Sequence, residues 1–137
     1  MGAKEEMNKE TVRKAIEAFN VRDLEAYWDC HTEDTTYHEV YFTEPQTKEQ
    51  MSKFMLDLWD SYPDWIIENK NMIACGDKVA IENEMSATFE NDQAHLKATG
   101  KKFIIWEGVF FDMKDGKIQH MRMYMDRKSQ ESQLGLS

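Results

Sequence analysis

Strand-like segments joined by short turns fill the second half of the chain and constrain its fold more than any other feature. Runs rich in alternating apolar residues span positions 65–74, 79–89, 103–113 and 118–126. Gly76 and Asp77 separate the first two runs, and Asp115 and Gly116, a pair typical of tight hairpins, separate the last two. Strands joined by such short turns pair antiparallel. The sequence therefore predicts an antiparallel sheet built from this half.

The first half predicts helices that cover this sheet. Thr47 and Gln50 form a capping box ahead of the strongest helical periodicity in the chain. Periodic apolar residues predict helices at 9–20, after Asp23 and at 51–62, with a β-rich run at 35–42. The order α-α-β-α-β-β-β-β is typical of an α+β fold with the helices packed on one face of a curved sheet. Such a sheet can curl into a cone whose mouth is a natural ligand site.

Composition narrows the classes of function. The 137 residues fit one domain, 1–137, with a formal net charge of -9. This acidic excess argues against nucleic acids and anionic membrane surfaces as partners. The two cysteines, Cys30 and Cys75, lack the spacing of a zinc site or a disulfide framework. Because the sequence shows no long apolar run and no secretory signal, we expect a cytoplasmic protein without a membrane span.

Five short motifs follow one another along the chain. They are residues 61–64 (SYPD), 99–101 (TGK), 115–118 (DGKI), Asp126 and residues 133–135 (QLG). Their order resembles the SnoaL-like polyketide cyclase family of the nuclear-transport-factor-two-like superfamily, over nearly the whole chain. The resemblance implies a cone-shaped α+β barrel, a homodimer through the outer sheet face, and no metal or organic cofactor. It also implies an intramolecular aldol ring closure with an acidic residue as general acid and base, although relatives include isomerases, hydrolases and binding proteins.

The last strand divides its side chains between two faces. Strict alternation places His120, Arg122, Tyr124 and Asp126 on one face and Met121, Met123 and Met125 on the other. We expect the polar face to line the cavity and the methionine face to lie outside, covered by a dimer partner. Asp126 is the leading catalytic candidate, because burial in an apolar pocket raises the pKa of a carboxyl toward neutral pH. The resemblance also implies a catalytic aspartate near this position.

Other residues of the polar face are candidate ligand-binding groups. His120 lies about 20 Å from Asp126 along the strand, which is too far for a direct pair, so it would line the cavity floor. Arg122 needs a carboxylate partner if it is buried, and Glu107 is one candidate. Arg122 departs from the aromatic residue that the resemblance implies here, which argues against a purely apolar substrate.

The register of the last hairpin leaves two alternatives for the cavity wall. A two-residue turn places Glu107 on the same face as Tyr124. A three-residue turn with Gly116 as a bulge places Trp106 there instead. We favour the bulged form, which puts Trp106 in the pocket, and retain both residues as ligand-binding candidates.

A histidine and a set of aromatic residues complete the candidate site. His38 lies in the early strand, where the resemblance implies a cavity-facing histidine that orients a carbonyl or relays a proton. The aromatic residues that can line the cavity are Trp28, Trp59, Trp65, Trp106, Tyr27, Tyr37 and Tyr62, although helical spacing is also typical of a core residue at Trp59.

These residues predict a small cofactor-independent enzyme, cyclase- or isomerase-like, acting on a small hydrophobic carbonyl compound. Asp126 would move the proton, and His38 or Tyr124 would polarise the carbonyl. Two alternatives stay open. One is a non-catalytic binding protein on the same fold, for a hydrophobic ligand or a partner protein. The other is an epoxide-type hydrolase, whose two acids bridged by an arginine could be approximated by Glu84, Arg122 and Asp126.

Overall fold

In the part of the chain that the structure describes, residues 2–39 and 42–136, six strands form one curved, unclosed sheet with helices against one face. The structure is a computed structural model. In chain order its elements are α1 (Ala3–Asn20), α2 (Leu24–Asp29), β1 (His31–Glu39), β2 (Gln46–Thr47), α3 (Lys48–Ser61), β3 (Ile66–Cys75), β4 (Lys78–Thr88), β5 (Lys102–Lys114), β6 (Lys117–Met125) and α4 (Arg127–Leu134). The strand order is β2-β1-β6-β5-β4-β3. We call the face under α1 and α3 the inner face, and the opposite one the outer face.

The antiparallel sheet predicted for the second half of the chain is confirmed. β3, β4, β5 and β6 pair consecutively and antiparallel, and β1 joins the edge of β6 as a parallel strand. The predicted α+β class is therefore confirmed as well. β2 and α4 have no counterpart in the prediction, and positions 40 and 41 of the run expected at 35–42 lie outside the described residues.

Side-chain caps fix where the helices begin. The Thr47 hydroxyl accepts a hydrogen bond from the Gln50 backbone N–H at 3.2 Å, and the Gln50 side chain accepts one from the Thr47 N–H at 2.8 Å. This is the predicted capping box, and it starts α3. Asp23 caps α2 by accepting a bond from the Ala26 N–H at 3.0 Å. These caps turn the apolar stripes of the helices toward the inner face.

Two side-chain amides tie helices to strand backbones. The Asn20 side chain at the end of α1 accepts from the Ile67 N–H at 2.9 Å and donates to the Ile67 carbonyl at 2.8 Å. Gln133 on α4 makes the same pair of bonds with Ile104, at 2.8 and 3.0 Å. Each amide satisfies backbone groups that lack a neighbouring strand at that point. The two ties hold α1 and α4 against the sheet and so fix two walls of the space inside.

The last hairpin combines a two-residue turn with a bulge farther along the strand. Asp115 and Gly116 both have positive φ, 51° and 78°, as a tight hairpin turn requires. The register then shifts between Asp112 and Met113, so that Glu107 pairs with Met125 rather than with Tyr124. The one-residue shift that we favoured is confirmed, but it arises within β6 and not in the turn.

The expected direction of the two faces of β6 is wrong. Met121, Met123 and Met125 line the space beneath the helices, while Tyr124 is half exposed on the outer face. Alternation separates the two sets of side chains as expected. The inner face receives the apolar helices, however, so the apolar set belongs inside and the polar set outside. This reversal relocates most of the predicted site.

Candidate active site

A cavity of about 340 Å³ lies between the inner face of the sheet and helices α1 and α3. Its wall is mostly apolar and includes Val12, Phe19, Met55, Leu58, Val109 and Met123. The volume lies within the range typical of small-molecule sites. Leu96 and Arg127 also line the cavity and are exposed to solvent, so the cavity opens between α4 and the loop that follows β4.

Polar side chains on α2 and the sheet interrupt this apolar wall. They are Tyr27, Tyr37, Glu39, Asn83 and Glu107, each at most 7% exposed. Tyr37 and Glu39 alternate on β1, so both side chains reach the inner face. Asn83 and Glu107 pair directly across β4 and β5. Burying polar groups costs free energy unless they are bonded, so this cluster is where a ligand has most to gain from polar contacts.

Glu107 is a buried carboxyl with one occupied and one free oxygen. Its Oε1 accepts a hydrogen bond of 2.9 Å from Asn83 Nδ2, while Oε2 is buried with no hydrogen-bond partner among the described residues. Burial raises the pKa of Glu107 to about 7, the Asn83 hydrogen bond opposes this, and the charge of Glu39 adds to it. Near neutral pH, Glu107 is therefore present as both acid and base, which is the property that proton transfer requires.

Glu39 brings a second carboxyl to the same cavity. Its Oε1 has no hydrogen-bond partner within the described ranges. Burial raises the pKa of Glu39, and the charge of Arg127 at the opening lowers it. In the sheet, Glu39 is level with Met123, and Glu107 is level with Met125, two residues farther along β6. The charge of Glu39 adds to the rise in the pKa of Glu107, which favours a proton on Glu107.

Two tyrosines place phenol groups beside the carboxyls. The Tyr27 hydroxyl donates to Met121 Sδ at 3.6 Å and the Tyr37 hydroxyl to Met123 Sδ at 3.1 Å. Burial raises the pKa of both phenols, so both stay protonated. A thioether sulfur is a weak acceptor. Either hydroxyl can therefore turn to a better acceptor, such as the oxygen of a bound carbonyl compound, with little loss.

The two predicted catalytic residues lie outside this cavity. Asp126 is exposed and is the N-cap of α4, where its Oδ1 accepts from the Ser129 N–H at 2.9 Å. His38 is half-buried on the outer face, with Nε2 bonded to the Phe42 carbonyl oxygen at 3.1 Å. Neither is among the residues that line the cavity. The expectation that they face a ligand in the cone is wrong, because His38 alternates away from the cavity on β1 and Asp126 lies beyond the end of β6 as an exposed helix cap.

Four more predicted ligand-binding residues lie on the outer face. Arg122 pairs with Asp112 at 3.0 Å and His120 Nδ1 bonds Thr36 Oγ1 at 2.5 Å. Trp106 and Tyr124 are half exposed on the same face, so the expectation that Trp106 would form a cavity wall is also wrong. The Arg122–Glu107 pairing considered above does not form, since the two side chains project from opposite faces.

The remaining four predictions divide between the cavity and the packing around it. Tyr62 and Glu107 line the cavity, as predicted. Trp59 is buried against Phe19, with ring centroids 5.4 Å apart, and is a core residue outside the cavity lining. Trp28 packs beside α3, where its Nε1 donates to Ser52 Oγ at 2.8 Å.

Tyr27 and Tyr37 line the cavity as expected, whereas sequence reasoning missed Glu39 and Asn83. The signal for Glu39 was available, since Tyr37 and Glu39 alternate with His38 in one strand. Once His38 faces outward, its neighbours must face inward. Asn83 gave no such signal, because an asparagine in a polar run is usually expected to face solvent. Only the pairing of its strand shows that it faces inward.

Two broader features of the described residues concern metals and membranes. Across residues 2–39 and 42–136, no group of three or more His, Cys, Asp or Glu side chains is placed to hold a metal ion. Over the same ranges, no helix combines the length and the apolar character needed to cross a membrane.

The sequence decides the family. A family model described as SnoaL-like polyketide cyclase matches residues 9–134, most of the chain. The chain belongs to the SnoaL-like polyketide cyclase family. No curated protein matches this family member significantly in sequence. The family resemblance inferred from the five motifs is confirmed.

Solved structures share the fold of this SnoaL-like protein at low sequence identity. A candidate SnoaL-like polyketide cyclase from Jannaschia sp. CCS1 is 16% identical, with a TM-score of 0.90 over 100% of this chain and 97% of that chain. AclR from Streptomyces galilaeus, a candidate hydroxylase, is 20% identical, with a TM-score of 0.87 over 97% and 87%. A Catenulispora acidiphila protein with a ketosteroid isomerase-like fold, solved with trimethylamine, is 18% identical, with a TM-score of 0.79 over 93% and 94%. At these identities the likeness shows the fold alone, which is the predicted nuclear-transport-factor-two-like fold.

Proposed function

We propose that this protein is a small enzyme of the cyclase or isomerase type, which moves a proton on a small, mostly apolar carbonyl compound. One observation carries the proposal: Glu107 is a buried carboxyl whose pKa is raised to about 7, on the wall of an apolar cavity of about 340 Å³. A group whose pKa matches the working pH is the most effective general acid or base. Membership of the SnoaL-like family supports the same class of reaction.

The cavity residues suggest how the proton moves. Ionised Glu107 takes a proton from the carbon next to the carbonyl of the ligand, and the proton binds to Oε2. The electron pair of the broken C–H bond forms a carbon–carbon double bond, and the carbonyl oxygen gains negative charge. The hydroxyl of Tyr27 or Tyr37 donates a hydrogen bond to that oxygen, which stabilises the charge in a site with little water. The enolate is then reprotonated, or its carbon attacks a second carbonyl and closes a ring.

The proposal assigns the predicted chemistry to different residues. Glu107 takes the role expected of Asp126, and Tyr27 or Tyr37 takes the role expected of His38 or Tyr124. Glu39 is the second acidic group of the cavity. The epoxide-type alternative, with two acids bridged by an arginine, finds no support, because Glu84, Arg122 and Asp126 all lie outside the cavity lining.

Exchange of a carbon-bound proton tests the proposal without knowledge of the natural substrate. An apolar bicyclic ketone such as β-tetralone is mixed with the protein in D2O, and proton NMR follows the loss of the signal next to the carbonyl. We expect exchange at least about tenfold faster than in buffer alone, because one positioned acid–base group contributes about this or more. Glu107→Gln should return the rate to that of buffer, and Asp126→Asn and His38→Ala should leave it unchanged.

The alternative of a binding protein is an outcome of the same experiment. Chemical-shift changes of cavity methionine methyl groups would show whether the ketone binds. Binding with no faster exchange in the wild-type protein would support a carrier and contradict the enzyme. A full rate in Glu107→Gln would instead show that another group moves the proton.

We also propose that the protein forms a homodimer through the outer face of its sheet. Four large apolar side chains on this face are half exposed: Ile104, Trp106, Phe110 and Tyr124. Phe110 and Tyr124 pack edge to face at 6.2 Å, which makes them one surface that we call the outer patch. Exposed apolar patches of this kind are typical of interfaces.

The charged groups beside the outer patch are largely paired within the chain. Arg122 is held by Asp112 at 3.0 Å, and Lys70 by Glu68 at 2.9 Å. The exposed apolar side chains of the outer patch therefore carry the proposal of a homodimer, in which a second copy of the chain covers them.

A further inference from the structure

An asparagine at the edge of the sheet controls a hydrogen-bond chain that ends at Glu107. The chain of bonds begins at two backbone carbonyl groups on β3 and β4. Asn69 Nδ2 lies 3.0 Å from the Asn71 carbonyl oxygen and 3.5 Å from the Glu82 carbonyl oxygen. A carbonyl oxygen can only accept. The end of the Asn69 amide that faces them must therefore be its NH2 group.

The orientation of Asn69 fixes the orientation of Asn83. The same Asn69 NH2 group lies 3.0 Å from the Asn83 side chain and donates to it, so the Asn83 atom at this end is the oxygen. The other end of the Asn83 amide is then its NH2 group, which lies 2.9 Å from Glu107 Oε1. Asn83 is 1% exposed, so these protein groups orient its amide. The donor and the acceptor of each bond are therefore fixed in turn, starting from the two backbone carbonyl groups.

A bulge places Asn69 where it can begin this chain of bonds. The register between β3 and β4 shifts between Asn69 and Asn71, which leaves Lys70 as an extra residue. Asn69 pairs with Asn83 before the register shift, and Asn71 pairs with Glu82 after it. Asn69 is itself exposed at the sheet edge, outside the cavity lining. It does not contact the site for the ligand and acts through Asn83.

We propose that Asn69 is a positioning residue, which holds the Asn83 amide so that it donates to Glu107 and leaves Oε2 as the oxygen that binds and releases the proton. This inference rests on the proposed function of Glu107 as the proton-transfer group. A donated hydrogen bond favours the ionised carboxyl, and a reversed amide would accept from and favour the protonated one. Asn69 therefore determines how strongly Glu107 holds its proton.

Other titratable side chains also act on Glu107 and stay constant in the test. Glu39 faces it from β1 and raises its pKa. Tyr27 on α2 and Tyr37 on β1 are protonated neighbours. None of these three contacts Asn69 through a hydrogen bond that the structure records. Substitutions at Asn69 therefore change the amide chain and leave the surrounding charges in place.

The experiment is a direct titration of Glu107 without any substrate. The protein is labelled with carbon-13 at glutamate side-chain carboxyl groups, and the Glu107 signal is identified by its absence in Glu107→Gln. In Asn69→Ala the Asn83 amide is free to rotate, and we expect the pKa of Glu107 to rise by about one unit. Asn69→Leu has a similar shape, adds no charge and also removes the donor to Asn83, so we expect a rise of the same size.

A matched control isolates the amide chain from the bulge. Asn71 lies in the same bulge and its Nδ2 donates to Glu82 Oε1 at 2.7 Å, but it has no bond to Asn83. Asn71→Ala should leave the pKa of Glu107 as it is in the wild type. Asn69→Leu preserves the approximate shape of the side chain and adds no charge, so it decides the question even if the alanine variant fails to fold.

The two proposals fail in different ways. A wild-type Glu107 that titrates in the ordinary carboxylate range contradicts the proposed function, while a rise in the Asn69 variants relative to it still supports the positioning role. A wild-type value near 7 with the same value in Asn69→Leu, or a lower one, overturns the positioning role and leaves the proposed function standing. The midpoint of the ketone exchange rate against pH should move with the titration.

Discussion

The hydrogen bond from Asn83 gives the two oxygens of the buried Glu107 carboxyl different roles. The bond holds one oxygen and moderates the rise in pKa that burial causes, which leaves a group balanced between acid and base near pH 7. The sequence kept Glu107 only as the alternative to Trp106, and Glu107 reaches the cavity because the inner face of β6 is the methionine face. It could not identify Asn83, whose role depends on pairing between strands that the sequence does not specify.

Glu107 is buried with one oxygen unpaired among the described residues, so its ionisation should destabilise the folded protein. The free energy of unfolding should therefore depend on pH. Its pKa rises from 4.5 when unfolded to about 7 when folded, so the folded protein holds the proton more tightly. Stability is then lost as pH rises from about 4.5 to about 7, by about 3 kcal/mol at most. Glu107→Gln cannot ionise, and we expect its free energy of unfolding to lack this decrease.

Urea unfolding at pH 5 and pH 8 measures this difference between the wild type and Glu107→Gln. The exposed Glu33 provides the control, because Glu33→Gln should follow the wild-type pH dependence. If Glu107→Gln lost as much stability as the wild type between the two pH values, the carboxyl would not be held in the protonated form by burial.

At the scale of elements, the sequence predicted what depends on local chemistry. The capping box at Thr47, the hairpin turn at Asp115 and the strand order of the second half all follow from residue types at short range. The direction of the β6 faces depends instead on which side the helices pack, and choosing the polar face for the cavity reversed it. α4 escaped prediction because residues 127–134 are mostly polar and show no apolar stripe.

Tertiary bonds hold α4 more than its own sequence does. The Gln133 amide bonds both the N–H and the carbonyl of Ile104, beyond the point where β6 ends. We expect Gln133→Ala to free the Ile104 N–H, so that its hydrogen exchange becomes at least about tenfold faster, in line with the loss of one or two hydrogen bonds. Native-state hydrogen exchange by NMR measures this.

The control for α4 is the exposed Lys128 on the same helix. Lys128→Ala should leave exchange at Ile104 unchanged. Equal protection of Ile104 in Gln133→Ala and in the wild type would mean that α4 is held against β5 by its buried Leu134 alone.

The whole molecule presents two contrasting sheet faces, a lined cavity inside and the outer patch outside. If the outer patch forms a homodimer, a charge at its centre should separate the two copies, because burying an unpaired carboxylate in an apolar interface is costly. We expect Phe110→Glu to sediment as a monomer at micromolar concentration, where the wild type sediments as a dimer.

A charge on an exposed apolar residue elsewhere provides the comparison. Leu56 on α3 is 53% exposed and Phe110 is 51% exposed, but Leu56 lies far from the outer face of the sheet. Leu56→Glu should remain a dimer. A wild-type protein that sediments as a monomer would contradict the homodimer and leave the cavity chemistry unaffected.

The most direct test of the central claim is the pH dependence of ketone proton exchange, compared between the wild type and Glu107→Gln. Only ionised Glu107 can remove a proton, so the wild-type rate should rise with pH through a midpoint near 7 and then level off. The Glu107→Gln rate should stay at the buffer rate at every pH. A wild-type rate with no midpoint near 7, or a midpoint that persists in Glu107→Gln, would contradict the assignment of Glu107 as the group that moves the proton.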